Sequence, residues 1–434
     1  MLHKLIPYEY KKWSTLLGGV LIHLALGSYY TFGNMSPYIT SYLREYDEID
    51  VRYSKSVWIS TAHSLFMAAG TLLSGLLNSV FKINVKFTIF FESFLLTLIT
   101  YGAMPGLGTG FAYIGPLSIA MKWFPNKKGL ANSAILFGYG ASAIFFDQVQ
   151  TIYINPDNFS PDKAYSVKYP DEKYFSKLHT DLLERIPKVF IILAASYASL
   201  QIVGFSLLAS YYTKEETITS INTEEEQVVN QTDAVQSSTD LNSLGVNYKS
   251  PNEGLTLAQA FRSPVYFILI TIISTAFGAS GFIVPFYKTF GLTFIENDKF
   301  LATVGSVCSI FNSTGRLFWG YLVDKLPFKV CYLILMTSII SLVSTIYLTK
   351  FIDSKEIYLV WVSTAKCFGQ KNFTAIYGST YVFDIPSSFL TAYLASFEEE
   401  LGWFWLFFIG SCISLLGWIM GFVFYVKKSD GEDI

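Results

Sequence analysis

Residues 300–323 read FLATVGSVCSIFNSTGRLFWGYLV, an apolar run that contains one charged residue, Arg316. A helix needs about 20 apolar residues to cross the hydrocarbon core of a bilayer, and this run is long enough. Asp324 and Lys325 close the run, so Arg316 lies eight residues from its polar end. An ionisable side chain at such a depth is costly unless it faces water or a partner, and it usually marks a functional site. The run therefore predicts both a transmembrane helix and a site.

The composition of the whole chain agrees with this interpretation. Of its 434 residues 52% are hydrophobic and only 15% are charged, whereas soluble domains carry about 25% charged residues. These values predict an all-α polytopic membrane protein, for which the lipid bilayer is a necessary partner. The four cysteines show neither metal-ligand nor disulfide spacing. No motif indicates a cofactor, a metal or a nucleic-acid partner.

The apolar runs divide the chain into two halves. We count ten clear spans, with one of them inside a longer apolar block at 87–124. The other runs are 13–40, 57–80, 128–153, 188–212, 263–287, 299–323, 328–349, 373–397 and 402–426. Residues 213–262 are acidic and rich in Thr, Ser, Asn and Gln, which predicts a disordered linker. The predicted organisation is an N-terminal helical bundle at 1–212, this linker, and a C-terminal helical bundle at 263–434.

Lysines are concentrated in the loops at 81–86, 122–128, 325–329 and 425–428, and these loops contain almost no acidic residues. The positive-inside rule places them, both termini and the linker in the cytoplasm, with the polar stretch 155–188 outside. We expect a multi-pass protein of the plasma membrane. The segment Gly70–Leu77 also aligns with Gly315–Leu322 at the matching place in the second half. Repeated halves of this kind are typical of secondary transporters.

Several segments together carry a resemblance to a known family. They are Leu24–Leu43, Tyr101–Tyr113, Lys122–Ala131 and Phe311–Lys325, the last ending in the loop motif Gly320-Tyr-Leu-Val-Asp324-Lys325. With these segments the chain resembles the major facilitator superfamily, and within it the oxalate:formate antiporter and monocarboxylate transporter branch. The resemblance implies twelve helices in two bundles that give alternating access to one central site. It also implies that Arg316 binds a substrate carboxylate and that Asp324 and Lys325 form a conformational latch.

The sequence departs from that pattern in three places. Oxalate carriers use a lysine on the eleventh span, but the only charged residue in 373–397 is Asp384. Where the third and tenth spans are expected, only Phe87–Phe91 and Ile357–Ala365 are available. Nine helical residues reach about 14 Å, which is less than half of the hydrocarbon core. We therefore expect a two-bundle major-facilitator-like fold in which the third and tenth spans are truncated.

Two helical faces supply the candidate binding residues. In the eighth span small and polar residues recur on one face at Gly305, Ser309, Asn312, Arg316 and Gly320. Arginine suits a carboxylate because its charge is fixed and its forked donors form two parallel hydrogen bonds. The alternative is an arginine that reaches the membrane surface or pairs with a carboxylate inside the protein.

The first span has a similar face, with Gly19, His23, Gly27, Tyr30 and Asn34. Tyr30 and Asn34 are candidate donors to a ligand. His23 is a candidate for ligand binding or proton transfer, although a hydrogen-bonded packing role fits it equally. His63, near the start of the second span, is a further candidate for binding. Asp147, in the fifth span, is either a proton site or a surface carboxylate.

These observations predict a secondary active transporter of a small organic anion, in particular a monocarboxylate, with the proton as candidate coupling ion. The alternative is a non-transporting facilitator-like sensor or a truncated inactive isoform, which the short spans favour. The sequence does not specify an accessory membrane subunit. The four histidines are scattered and form no H-x-x-x-D or H-E-x-x-H motif, so an enzyme is not expected. The absence of a Walker sequence argues against transport driven by ATP.

Overall fold

The structure, a computed structural model, describes residues 5–46, 51–79, 103–209, 261–262, 264–323, 325–345 and 384–423. The first half consists of α1 (Tyr8–Leu26), a 3-10 helix (Gly27–Thr31), α2 (Phe32–Tyr46), α3 (Tyr53–Ser79), α4 (Ala103–Trp123), α5 (Lys128–Ile154) and α6 (Thr180–Leu207). The second half consists of α7 (Pro264–Leu292), α8 (Asp298–Val323), α9 (Phe328–Thr345), α10 (Asp384–Ala395) and α11 (Glu398–Val423). By length and composition alone, five helical stretches in the described part of the chain could cross a membrane.

The predicted helical character is confirmed, and each apolar run overlaps a helix. The predicted run 299–323 differs from α8 by a single residue. The predicted truncations at Phe87–Phe91 and Ile357–Ala365 lie outside the described residues, and the count of ten spans stays a prediction for that reason. The predicted linker also lies outside them, apart from Phe261 and Arg262.

The connection between α5 and α6 contains a β-hairpin that the sequence did not predict. Strand β1 (Lys163–Ser166) pairs antiparallel with β2 (Tyr169–Tyr174), in a register that sets Lys163 opposite Tyr174. A 3-10 helix at Lys177–His179 leads into α6, which begins at Thr180, well before the predicted residue 188. The hairpin lies against the first half, because Tyr174 stacks on Tyr53 with ring centroids 4.5 Å apart.

We call the end of the molecule that carries this hairpin the hairpin end, and the opposite end, with the loop residues 124–127 and 325–327, the lysine-loop end. Helix α3 runs from the hairpin end to the lysine-loop end. Helix α4 runs the same way, because Gly106 packs on His63 and Gly110 packs on Met67. Helices α5 and α8 are antiparallel and lie against each other, so that one helix from each half forms the centre of the interface between the halves.

Two glycines allow the helices of the first half to pack at backbone distance. A Cβ atom added to Gly138 of α5 would overlap the carbonyl oxygen of Val20 in α1. One added to Gly27 would overlap the carbonyl oxygen of Tyr139 in α5. Small residues at such positions are the usual basis of close helix packing in membranes. The buried side chains of Ile22, Leu26 and Ile135 fill the remaining space around this contact.

We expect Gly27→Ala and Gly138→Ala each to destabilise the protein by about 1–3 kcal/mol, because the two backbones must move apart to accommodate a methyl group. The measurement is the midpoint of thermal unfolding in detergent. Ile152→Ala is the matched control, since the Ile152 side chain is exposed on α5 and its loss should change the midpoint little. Unchanged midpoints in both glycine variants would contradict the packing described above.

Candidate functional site

Arg316 lies at the interface between the halves with 7% of its surface exposed. Its Nη2 donates a hydrogen bond to the hydroxyl oxygen of Tyr30 at 2.8 Å, and its Nε donates to Oδ1 of Asn312 at 3.1 Å. The guanidinium carbon also lies 5.8 Å from the ring centroids of both Tyr30 and Tyr139. The structure thus brings together three of the predicted binding residues, Arg316, Asn312 and Tyr30, and adds Tyr139.

The position of Arg316 depends on a glycine in the opposing helix. A Cβ atom on Gly140 of α5 would lie 2.9 Å from Oγ of Ser313 and 3.2 Å from Nε of Arg316. With glycine there, the guanidinium lies directly over the α5 backbone. The side chain therefore points into the interface between the halves.

The Arg316 group has the chemistry of an anion site. The guanidinium keeps its charge at any physiological pH and offers several donors in a fixed plane. Because Tyr30 accepts a hydrogen bond from Arg316, the hydroxyl hydrogen of Tyr30 can point to a third group. Tyr30 and Asn312 are only partly buried, so this group borders accessible space. A small carboxylate could bind the arginine and the tyrosine hydroxyl together.

The two candidate histidines lie apart from this group. His23 is fully buried between α1 and α4, with Nδ1 3.0 Å from the carbonyl oxygen of Gly19 and Nε2 3.0 Å from that of Tyr113. These contacts match the packing alternative. His63 stacks on Tyr29 with ring centroids 5.0 Å apart, and its Nε2 has no hydrogen-bond partner in the described part of the protein. A binding role for either histidine stays a prediction.

Asn34 belongs to a second polar group, nearer to the hairpin end, which we call the hairpin-side cluster: Asn34, Tyr38, Asn155, Lys288 and Asp298. Lys288 and Asp298 are both 0% exposed, and Nζ of Lys288 lies 2.8 Å from Oδ1 of Asp298. Lys288 also donates to Oδ1 of Asn34 at 2.8 Å and to the hydroxyl of Tyr38 at 3.2 Å. Asp298 accepts hydrogen bonds from Tyr38 and from Asn155 Nδ2, the latter at 3.0 Å.

The sequence analysis missed both ions of this cluster. The predicted run 263–287 ended at the lysine, whereas α7 continues to Leu292 with Lys288 inside it. The signal was a lysine and an aspartate ten residues apart around a short turn between two apolar runs. A prediction from hydropathy ends a helix at such a charge, because the hydropathy of one segment contains no information about a partner in the next helix.

Asp147 lies between the Arg316 group and the hairpin-side cluster, and it is not a surface carboxylate, since it is 0% exposed. Oδ2 accepts a hydrogen bond from the Tyr287 hydroxyl at 3.4 Å. Oδ1 has no hydrogen-bond partner within the described residues. Gly305 leaves the space for this carboxylate, because a Cβ atom there would lie 2.6 Å from Oδ2.

Further polar contacts join the halves at the hairpin end. Arg52 lies between α2 and α3 and forms ion pairs with Glu172 of β2 and with Glu398 of α11, the latter at 3.3 Å. The backbone N–H of Lys299 donates to Oδ1 of Asn158 at 2.8 Å, and Ser160 donates to the carbonyl of Glu296. Both the α2–α3 and the α5–α6 connections of the first half thus contact the second half at this end.

Asp162 binds Ser176, the residue before the 3-10 helix that leads into α6. Partial burial acts to raise the pKa of Asp162, but hydrogen bonds from the backbone and hydroxyl of Ser176 and the nearby His179 outweigh it, and the pKa lies below its usual value. Because the folded pKa is depressed, this contribution to stability is present above the usual aspartate pKa and is lost as the pH falls through the lowered one.

Of the predicted latch, Asp324 lies outside the described residues. Lys325 is exposed, with Nζ 6.0 Å from the ring centroid of Tyr321. The latch role therefore stays a prediction.

The chain is also similar to known proteins in sequence and in fold. The family model described as Major Facilitator Superfamily matches residues 18–388. Apicoplast pyruvate carrier 1 of Toxoplasma gondii is 26% identical over 391 residues, covering 74% of this chain and 69% of that protein. An uncharacterised MFS-type transporter of Escherichia coli (strain K12), YhjX, is 24% identical over 335 residues, covering 74% and 68%. The crystal structure of a D-xylose-proton symporter matches with a TM-score of 0.54 at 12% identity, over 99% of this chain and 100% of that one.

The ion pair of the hairpin-side cluster leads to a prediction of stability. Lys288→Met should destabilise the protein by about 3–5 kcal/mol, because it leaves the Asp298 carboxylate buried without its cation. Adding Asp298→Asn to that variant should recover most of the loss. Both effects are measured as midpoints of thermal unfolding in detergent, with Lys325→Met, an exposed lysine, as control. If Lys288→Met were as stable as the wild type, the stabilising role given to the Lys288–Asp298 pair would be wrong.

Proposed function

Because the chain belongs to the major facilitator superfamily, we propose that it is a secondary active transporter that works by alternating access and moves a small organic anion, in particular a monocarboxylate. Members of this family are multi-pass membrane transporters. The finer proposal, the substrate class, rests first on Arg316, a buried cation between the halves that donates to Tyr30 and Asn312.

The relatives support the same class of substrate. One of the matching proteins is by its name a pyruvate carrier, and pyruvate is a small monocarboxylate. A second relative, 24% identical over 250 residues, is likewise called an apicoplast pyruvate carrier, although the match covers only 46% of this chain and 38% of that protein. The symporter structure supports the fold alone, since the two sequences are only 12% identical.

The contacts between the halves suggest how the site is reached. They extend from Arg316 through Asp147 to the hairpin-side cluster and the Arg52 ion pairs. We propose that this conformation is closed at the hairpin end and that a substrate reaches Arg316 from the lysine-loop end. The positive-inside rule puts that end in the cytoplasm, so the structure would be an inward-facing state. The plasma membrane stays the predicted location, and the apicoplast named for two relatives is the competing one.

Uptake into proteoliposomes tests the proposal. The panel consists of radiolabelled pyruvate, lactate, formate and oxalate, each with and without a pH gradient. Saturable uptake of at least one monocarboxylate is expected. If no member of the panel is taken up by correctly folded protein, the transporter proposal gives way to the alternative of a non-transporting sensor or inactive isoform.

Arg316→Ala and Arg316→Lys should abolish this uptake while the amount of folded protein is unchanged. Lysine keeps the charge but loses the planar fork that binds a carboxylate through two hydrogen bonds. Arg262→Lys is the matched control, since Arg262 is exposed beside the lysine-loop end of α7. Wild-type uptake by Arg316→Lys would disprove two-point binding of the carboxylate.

Tyr30→Phe tests the second donor. It removes one hydrogen bond in a charged group, which contributes about 1.5–3 kcal/mol, so KM should rise at least about tenfold. Tyr10→Phe, at an exposed tyrosine of α1, should leave KM unchanged. If Tyr30→Phe had the KM of the wild type, the Tyr30 hydroxyl would not be part of the proposed binding site.

A further inference from the structure

Two carboxylates and one lysine are completely buried among the described residues on the hairpin side of Arg316: Asp147, Asp298 and Lys288. Lys288 is paired with Asp298 at 2.8 Å and directs its other hydrogen bonds to Asn34 and Tyr38. Two carboxylates therefore share one cation, and that cation is bonded to only one of them. If both acids were ionised, closing the hairpin end would bury an uncompensated negative charge.

Asp147 is the carboxylate without compensation. Lys288 lies nearby, but within the described residues it forms its ion pair with Asp298 instead. Among the described residues, the Asp147 side chain accepts one hydrogen bond, the long one from Tyr287 at 3.4 Å, and Oδ1 has no partner there. A buried carboxylate in such surroundings is more stable when protonated.

The groups that face Asp147 come from the neighbouring helices. Helix α7 contributes Tyr287 and Lys288, α8 contributes Cys308, and α2 contributes Asn34, whose side-chain amide donates to the backbone carbonyl of Asp147 at 3.2 Å. Of these, Lys288 is the sole cation among the described residues. Within that part of the chain, no other group is placed to neutralise Asp147.

We propose that Asp147 is a proton-binding site and that closing the hairpin end requires it to hold one proton. When the halves separate at this end, water reaches the carboxylate and the proton is released, and closing takes it up again. No bond other than the O–H bond of the carboxyl group forms or breaks. This proposal rests on the alternating access proposed above. It couples the same movement to a proton, which binds at Asp147 and not at Arg316.

Hydrogen–deuterium exchange of the full chain in detergent tests this inference without a substrate. The reporters are peptides covering 156–160 and 293–300, whose contacts close the hairpin end. After correction for the intrinsic effect of pH, wild-type peptides should be protected at acidic pH and lose protection as the pH rises. Asp147→Asn should stay protected throughout, because the amide is neutral at every pH. Asp157→Asn, an exposed acid at the same end, should behave like the wild type.

Tyr287→Phe provides a second variant that keeps the carboxylate. The Tyr287 hydroxyl stabilises the ionised form of Asp147 in the closed state. Its loss should therefore widen the difference in peptide protection between acidic and alkaline pH. A wild type without any pH response, or an Asp147→Asn variant that keeps the wild-type response, would overturn the proposal. Failure of uptake for the whole panel with an intact pH response would instead refute the transport proposal alone.

Discussion

The close contact between α5 and α8 is the constraint on which the interface between the halves depends. Glycine occurs on each helix where the other needs room: Gly140 lies under Arg316, and Gly305 lies beside Asp147. Ser306 reinforces the contact by donating to the carbonyl of Ala143 and accepting from Gln148. A larger residue at either glycine would separate the helices and leave Arg316 and Asp147 in different surroundings.

This contact also explains why the interface can hold charges far from the membrane surface. The guanidinium of Arg316 is surrounded by Tyr30, Tyr139 and Asn312, which offer oxygen atoms and aromatic faces in place of water. Cation–π contacts and hydrogen bonds of this kind offset part of the loss of hydration. Under the proposed function, a bound carboxylate adds a further interaction to these contacts. By the same reasoning, we propose that a bound proton stabilises the buried Asp147 side chain.

Helical periodicity was enough to predict the features that depend on a single helix. The run 299–323 and the shared face of Arg316 and Asn312 occur as predicted, whereas the predicted run 13–40 is interrupted by the 3-10 helix at Gly27–Thr31, which carries Tyr30. The sequence was insufficient wherever a residue's role depends on another helix. Lys288 looked like the end of a span, because its partner Asp298 belongs to the next helix, and Asp147 could not be distinguished from a surface acid. The hairpin at 163–174 was missed because its strands are short and carry mostly polar side chains, and Tyr174 is the one fully buried residue in them.

The location of the ion pairs has a mechanical consequence. Lys288 and Asp298 both belong to the second half, and Arg52 and Glu172 both belong to the first, so each of these pairs stays intact if the halves move as rigid bodies. The bonds that cross between the halves at the hairpin-side cluster come from neutral groups of Tyr38, Asn34 and Asn155. Water can replace each of those bonds one at a time. Separating the halves there therefore leaves the Lys288–Asp298 pair intact and exchanges its hydrogen bonds to neutral groups for bonds to water, whereas the Arg52–Glu398 ion pair, which crosses between the halves, must break.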